Sequence, residues 1–263
     1  MSRKQLGGEK ILITGAASGM GRACALFFRE RGASIIVADI DFDGAKSTAD
    51  EVEGEAFHVD LADPAAISEL AESIAATCGP VSGLLNCAGI MPNAITPPEA
   101  IGSTEWDRFF AVNVRGTFFL SVVFGSQMAG RGSGSIVNIA STTGLRSTPH
   151  HAYGVSKASV VQISRNLAAQ WARSNVRVNS LSPGYVRTDG LMKNIEGGFR
   201  DADRITSSAA MGRMVEPNEI AGAAAFLLSD DASAITGIDL PVDAGWLING
   251  SWVFYGGVPP AMP

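Results

Sequence analysis

The stretch Lys10-Ile-Leu-Ile-Thr-Gly-Ala-Ala-Ser-Gly-Met-Gly21 decides the fold. Lys10 to Thr14 is an apolar run of strand length. Gly15, Gly19 and Gly21 punctuate a turn, and a helical pattern then runs to Arg31, with Gly32 as its stop. Strand, glycine-rich turn and helix make the first half of a βαβ unit. The glycines let backbone approach a pyrophosphate, whose charge suits a helix N-terminus. Ser34 to Ala38 is the second strand, and it delivers Asp39 to its carboxyl end, twenty residues past Gly19. A carboxylate there hydrogen-bonds the adenosine ribose hydroxyls of NAD and repels a 2′-phosphate. Asp41 and Asp43 follow as a turn. No Arg or Lys stands in the glycine turn or directly after Asp39 to welcome NADP.

The same alternation continues outward. Ala56 to Val59 is a third strand, ending at Asp60-Leu61, and Asp63-Pro64 caps a helix to about Cys78. Gly83 to Asn86 is a fourth strand that opens into Cys87-Ala88-Gly89. After a proline-rich loop over 92–103, Thr104 and Asp107 form a capping pair for a helix from about Glu105 to Met128. That helix is apolar nearly all round, which calls for burial on every side, in the core or at a subunit interface. Asn113 lies within it and needs hydrogen-bond partners, from local backbone or as a placed polar group of the site. Ser135 to Ala140 and Val176 to Leu181 are the fifth and sixth strands, with a helix over 158–173 between them. Residues 185–214 look irregular, a helix runs from Pro217 to Leu228, and Gly237 to Val242 is the last strand. Strands alternating with helices predict one α/β domain over 1–263, a parallel sheet with helices on both faces.

Composition agrees. The 263 residues are 46% hydrophobic and 17% charged, enough for a substantial core. The formal net charge of -6 argues against a nucleic-acid partner. No apolar run approaches the length of a membrane span, and the polar arm 1–9 has too little apolar sequence for a signal peptide. Cys24, Cys78 and Cys87 read as reduced core residues of a cytoplasmic protein. His58, His150 and His151 show no metal-ligand spacing.

Between the fifth strand and its helix lies Ser141-Thr-Thr-Gly-Leu-Arg-Ser-Thr-Pro-His-His-Ala-Tyr-Gly-Val-Ser-Lys157. Tyr153 and Lys157, four apart at a helix start, share one face. The ammonium is expected to favour phenolate and lower the tyrosine pKa. Ser141 sits at a strand's carboxyl end, where open α/β sheets bind ligands.

Together these motifs resemble the short-chain dehydrogenase/reductase family, from about Lys10 to Trp246. Thr14 to Gly21 resembles its cofactor loop, and Asn86-Cys-Ala-Gly89 its Asn-Asn-Ala-Gly element with Cys87 replacing an asparagine. Asn113, Ser141, Tyr153 and Lys157 fall where the catalytic tetrad would be. Ser141 stands twelve residues before Tyr153, where thirteen is more frequent, and Asp243-Ala-Gly245 stands where Asp-Gly-Gly is usual.

The resemblance implies a Rossmann-type doubly wound sheet and a nicotinamide cofactor, NAD given Asp39. Its expected contacts are Gly15, Ser18, Gly19, Met20, Gly21, Asp39, Asp60, Leu61, Asn86, Ala88, Gly89, Pro183, Gly184, Val186 and Thr188, with Tyr153 and Lys157. It implies that Tyr153 takes the proton of a secondary alcohol while hydride leaves the carbinol carbon. Lys157 would lower the tyrosine pKa and hold the nicotinamide ribose, Ser141 would bind the substrate oxygen, and Asn113 would position a proton-relaying water. Flanking positions expected to line the substrate site are Met91, Thr143, Ser147, His150, Tyr185, Leu191 and Met192. The substrate could be a polyol, a sugar, a hydroxysteroid or a simple alcohol. An NADPH-dependent carbonyl reductase and a silent NAD-binding sensor are the alternatives. A homotetramer built on paired helices is expected. The aromatic-rich tail 246–263 is expected to be ordered near 185–214, on a neighbour's surface or on its own domain's edge.

Overall fold

The computed structural model describes residues 5–92 and 94–259. Seven parallel strands form one sheet: β1 (Lys10–Thr14), β2 (Ser34–Asp39), β3 (Glu55–His58), β4 (Gly83–Asn86), β5 (Gly134–Ile139), β6 (Val176–Pro183) and β7 (Asp239–Val242). Their order is β3-β2-β1-β4-β5-β6-β7. The order reverses between β1 and β4, and such reversals open the crevice in which α/β sheets bind ligands.

Strand side chains alternate between faces. Ile11, Ile13, Ile35 and Val37 pack against α1 (Gly19–Glu30), α2 (Phe42–Val52) and α9 (Pro217–Leu228). Leu12, Ile36 and Ala38 pack against α3 (Pro64–Thr77), α5 (Thr117–Arg131) and α6 (His151–Trp171). Apolar strands covered on both faces are what a wholly parallel sheet requires.

Several elements differ from the sequence expectation, each for a local reason. The turn expected after Asp39 is α2, because Asp41 accepts a hydrogen bond from Gly44 N (3.1 Å) as an N-cap. The long helix starts earlier, as α4 (Ser103–Phe109), with Gly102 at its N-cap, so Thr104 and Asp107 lie inside the first turns. It then widens into a π-helical turn, Phe110–Gly116, before α5. By length and composition the run Ser103–Arg131 could cross a membrane. Here Leu120, Phe124 and Met128 are buried under the sheet, while Trp106, Phe118 and Phe119 stay exposed. The core therefore covers one side of this helix, not all of it.

The stretch 185–214 carries two helices, α7 (Asp189–Glu196) and α8 (Ala202–Ser208). Thr188 accepts from Leu191 N and Asp201 from Arg204 N, so each helix has a side-chain cap. A parallel bridge between Val186 and Val215 closes the base of this excursion.

The tail continues as a 3-10 helix, Asn249–Tyr255. Asn249 Nδ2 donates to the carbonyl of Ser208 (2.9 Å), docking the tail on its own chain's α8. Trp252, Phe254 and Tyr255 nonetheless face outward. The expectation for Pro260 and Pro263 falls outside the described residues.

Asp243 shapes the junction between β7 and the tail, accepting from Gly245 N (2.9 Å) and Leu247 N (2.8 Å). Ala244 between them has φ 51°, in the left-handed region that costs a side-chain-bearing residue about 1–2 kcal/mol. Ala244→Gly is expected to stabilise the fold by about 1 kcal/mol and to raise Tm by about 2–4 °C. Calorimetry checks this, and an unchanged or lower Tm would show that the junction carries no strain.

Candidate active site

The glycine turn sits against the exit of β4. Gly15 has φ 70°, and a Cβ on it would lie 2.5 Å from Ala88 Cα, so only glycine fits this approach. A Cβ on Gly21 would collide with the Gly15 carbonyl oxygen. The α1 N-terminus that follows has no side-chain cap at Ser18 and no acid in its first turn. Its amide groups thus remain directed at a cradle suited to an anion such as a phosphate. Asp39 closes the cradle: Oδ2 accepts from Ala17 N (3.0 Å) and Oδ1 from Asp41 N (3.0 Å). The first cation of α1, Arg22, is engaged by Glu51 (2.6 Å) and not by this carboxylate. These features fit a nicotinamide dinucleotide.

Asp60 caps its own turn through Ala62 N (2.8 Å). Leu61 is buried beneath the π-helical turn, where a Cβ on Gly116 would meet it at 2.8 Å. The π turn also aims Asn113 inward, as such widened turns do at functional sites. Asn113 Oδ1 accepts from Ile90 N (2.8 Å), while Nδ2 donates to Ile90 O (2.9 Å) and Ser156 Oγ (3.1 Å). Backbone from 23 residues away, not local backbone, satisfies this amide, and with Ser156 it clamps the segment after β4 to α6.

α6 begins well before Ala158, so Tyr153 and Lys157 lie in its first two turns on one face. Lys157 Nζ donates to Ile139 O (2.8 Å) and stands 5.8 Å from the Tyr153 ring centroid. Ser141 caps the short turn Thr142–Gly144, accepting from Thr143 N (3.2 Å) and Thr143 Oγ1 (2.9 Å), beside the Tyr153 phenol. The expected effect of Lys157 on Tyr153 is not what dominates. The protein packed around the phenol raises its pKa above the ordinary tyrosine value, and the neighbouring Ser141 hydroxyl opposes the rise. Burial also lowers Lys157 to about 8 and pushes the neighbouring Cys87 thiol up to about 12. Removing water from both partners disfavours phenolate and ammonium alike.

These groups face a cavity of about 1700 Å³. Of the expected residues, Met20, Gly89, Ser141, Tyr153, Lys157, Pro183, Gly184, Val186 and Thr188 line it, as do Met91, Thr143, Ser147, His150, Tyr185 and Leu191. Met192 is not on its wall, because neighbouring helical residues point about 100° apart and α7 presents Leu191. Gly19 adjoins the wall through Thr188, where a Cβ would meet Cγ2 at 3.8 Å. Asn86 turns away: its amide is buried and donates to Asn138 Oδ1 (2.7 Å) and Ser121 Oγ (3.0 Å).

Sequence reasoning missed Thr142, whose hydroxyl donates to Pro183 O (3.2 Å) and joins two walls, and Ser156, the partner of Asn113. It also missed Arg146 and Arg200 on the cavity wall. Arg146 stood inside the quoted stretch; nothing local marked the others.

Comparison with known proteins places this geometry among relatives. A family model described as enoyl-(acyl carrier protein) reductase matches residues 15–247. D-threitol dehydrogenase of Mycolicibacterium smegmatis is 38% identical over 250 residues, covering 93% of this chain and 95% of that one. A structure described as ribose-5-phosphate isomerase from Brucella melitensis 16M superposes with TM-score 0.95 at 42% identity, covering 99% of this chain and 100% of that one. A chain from Beutenbergia cavernae, provisionally assigned as an NAD(P)-dependent gluconate 5-dehydrogenase and holding NADP at low occupancy, gives TM-score 0.85 at 38% identity. The match covers 94% of this chain and 99% of that one.

Proposed function

Because this chain belongs to the short-chain dehydrogenase/reductase family, we propose that it interconverts a polyol secondary alcohol and its ketone with NAD, using Tyr153 as general acid–base. One observation carries this reading. The Tyr153 phenol, beside Ser141 and near Lys157, stands on the wall of a cavity that adjoins the glycine turn through Met20 and Thr188. The D-threitol relative supports a polyol.

A bound nicotinamide dinucleotide supplies the hydride chemistry. The glycine turn and the α1 N-terminus would hold its phosphates, Asp39 its adenosine ribose, and Lys157 with the Pro183–Thr188 segment its nicotinamide end. Ser141 donates to the substrate oxygen, and Tyr153 meets the same oxygen as a phenolate acceptor for the alcohol or a phenol donor for the ketone. In oxidation Tyr153 Oη takes the alcohol proton; in reduction it returns one. Asn113, its amide fully engaged by Ile90 and Ser156, acts by positioning. The isomerase name of the Brucella neighbour points to a redox-neutral reaction, in which the dinucleotide cradle would have no part. NADH formation from a panel of polyols decides between the two. The free thiols of Cys24, Cys78 and Cys87 support the cytoplasm as the setting.

Tyr153→Phe is expected to lower kcat by about 10²–10⁴ while NADH binding, followed by fluorescence, persists. Because burial raises the Tyr153 pKa, its phenolate fraction grows with pH below that value. The kcat/KM for alcohol oxidation should therefore climb from about pH 7 to pH 10, and that for ketone reduction should not. A flat oxidative profile or near-normal activity of the variant would refute Tyr153 as the acid–base.

Asp39→Ala is expected to raise kcat/KM with NADP relative to NAD by at least about tenfold, since it removes a like charge from the 2′-phosphate. Wild-type preference for NADP would overturn the assignment.

Trp106, Phe118, Phe119 and Val155 remain exposed on α4, α5 and α6, an apolar face suited to a second copy. The proposed assembly is a homotetramer joined partly through these helices. Light scattering at micromolar concentration should return four chain masses; a monomer mass would refute it.

A further inference from the structure

Among the described residues, the catalytic cavity is lined by five cationic side chains, Arg146, Lys157, Lys193, Arg200 and Arg204, and by no Asp or Glu. This is notable in a chain with a formal charge of -6. Lys157 serves Tyr153. Arg200 comes from the excursion between β6 and α9, and its Nη2 lies 3.4 Å from His150 Nε2. His150 in turn meets the Tyr153 ring edge-on, with centroids 6.3 Å apart. A guanidinium only donates, so His150 accepts at Nε2 and is a neutral partner. Burial and the Arg200 charge both hold the His150 pKa down, which keeps it neutral. Arg146 donates to Trp246 O (3.3 Å) and lies over the Trp246 ring.

Elsewhere Arg22, Arg29, Arg187 and Arg213 each pair with a glutamate, while Arg115, Arg131 and Arg177 donate to backbone carbonyls. Among the described residues, Arg146, Lys193 and Arg200 have no carboxylate partner. Arg204 has only Asp201, at 3.4 Å and largely in solvent. Arg146 and Lys193 are exposed, but Arg200 is half-buried without a counterion, which is costly, and a guanidinium's fork geometry fits a carboxylate or phosphate. The phosphates of a dinucleotide are already provided for at the uncapped α1 N-terminus, whereas Arg200 reaches Tyr153 through His150.

We infer that the substrate is an anionic polyol, its carbinol at Tyr153 and a carboxylate or phosphate group a few carbons away held by Arg200 and Arg146. This rests on the alcohol dehydrogenase reading of the same cavity. An aldonate and a sugar phosphate share this chemistry and are separate arms of the test.

The test compares NADH formation by the wild-type protein from neutral polyols, aldonates and sugar phosphates of matched chain length. One anionic class should give the higher kcat/KM, and its KM should rise with ionic strength. R200Q should raise that KM about 10- to 100-fold, as expected for a lost charge-assisted contact, with a far smaller change in kcat and in the KM of a neutral polyol. Faster turnover of neutral polyols, or equal KM changes for neutral and anionic substrates, overturns the proposal and leaves the dehydrogenase reading intact. Turnover of no polyol at all fails that reading instead. The same aldonates and sugar phosphates are then titrated calorimetrically into the NADH-loaded protein. Binding that is lost in R200Q supports the anion site, and no binding overturns it.

Discussion

A polar seam buried beneath the sheet holds α6, the helix that carries Tyr153 and Lys157, in place. Asn86 on β4 donates to Asn138 on β5 and to Ser121 on α5, and Asn138 Nδ2 donates to Ser164 Oγ on α6 (2.9 Å). All four residues are almost wholly inaccessible. Apolar packing alone would tolerate a rotated or shifted α6, but a buried amide left unpaired costs about 1–3 kcal/mol. Ser164 lies two turns beyond Lys157 on the same face. The seam thus sets the rotation of α6, and with it the direction of Lys157 and Tyr153.

A second constraint acts at the reversal of strand order. With β1 between β2 and β4, the glycine turn must pass close to the exit of β4, and the contact between Gly15 and Ala88 is the result. The same reversal opens the crevice above the carboxyl ends of the strands. Asp39, Asn113, Ser141 and Pro183 all arrive there because each lies at a strand end or on the helix facing one.

Burial then decides the electrostatics. It holds Tyr153 as a neutral phenol, draws the Lys157 ammonium toward its neutral form, and leaves His150 uncharged beside Arg200. Lys157, lowered only to about 8, is still mostly an ammonium at neutral pH and adds its charge to the guanidinium groups on the cavity wall.

The glycine turn, Asp39 and the caps at Asp63-Pro64 and Pro217 were legible in the sequence, because each acts over a few residues: φ freedom, strand register and capping are local chemistry. The order of strands along the chain followed from that, while Asn113, Ser141, Tyr153 and Lys157 were singled out together by the family resemblance. Where local chemistry is ambiguous the reading stopped short. Asp41, Thr188 and Asp201 suit a turn as well as a cap, so α2, α7 and α8 went unseen. Asn86 in an apolar strand end could face the crevice or the seam, and only packing on α5 and α6 decides. The direction of the Tyr153 pKa also escaped, since sequence shows that an ammonium is near but not how much water both groups lose. Arg146 and Arg200 stand far apart in the chain and meet one cavity only after folding. Desolvation and the convergence of distant charges belong to the packed molecule, so the tertiary structure alone determined them.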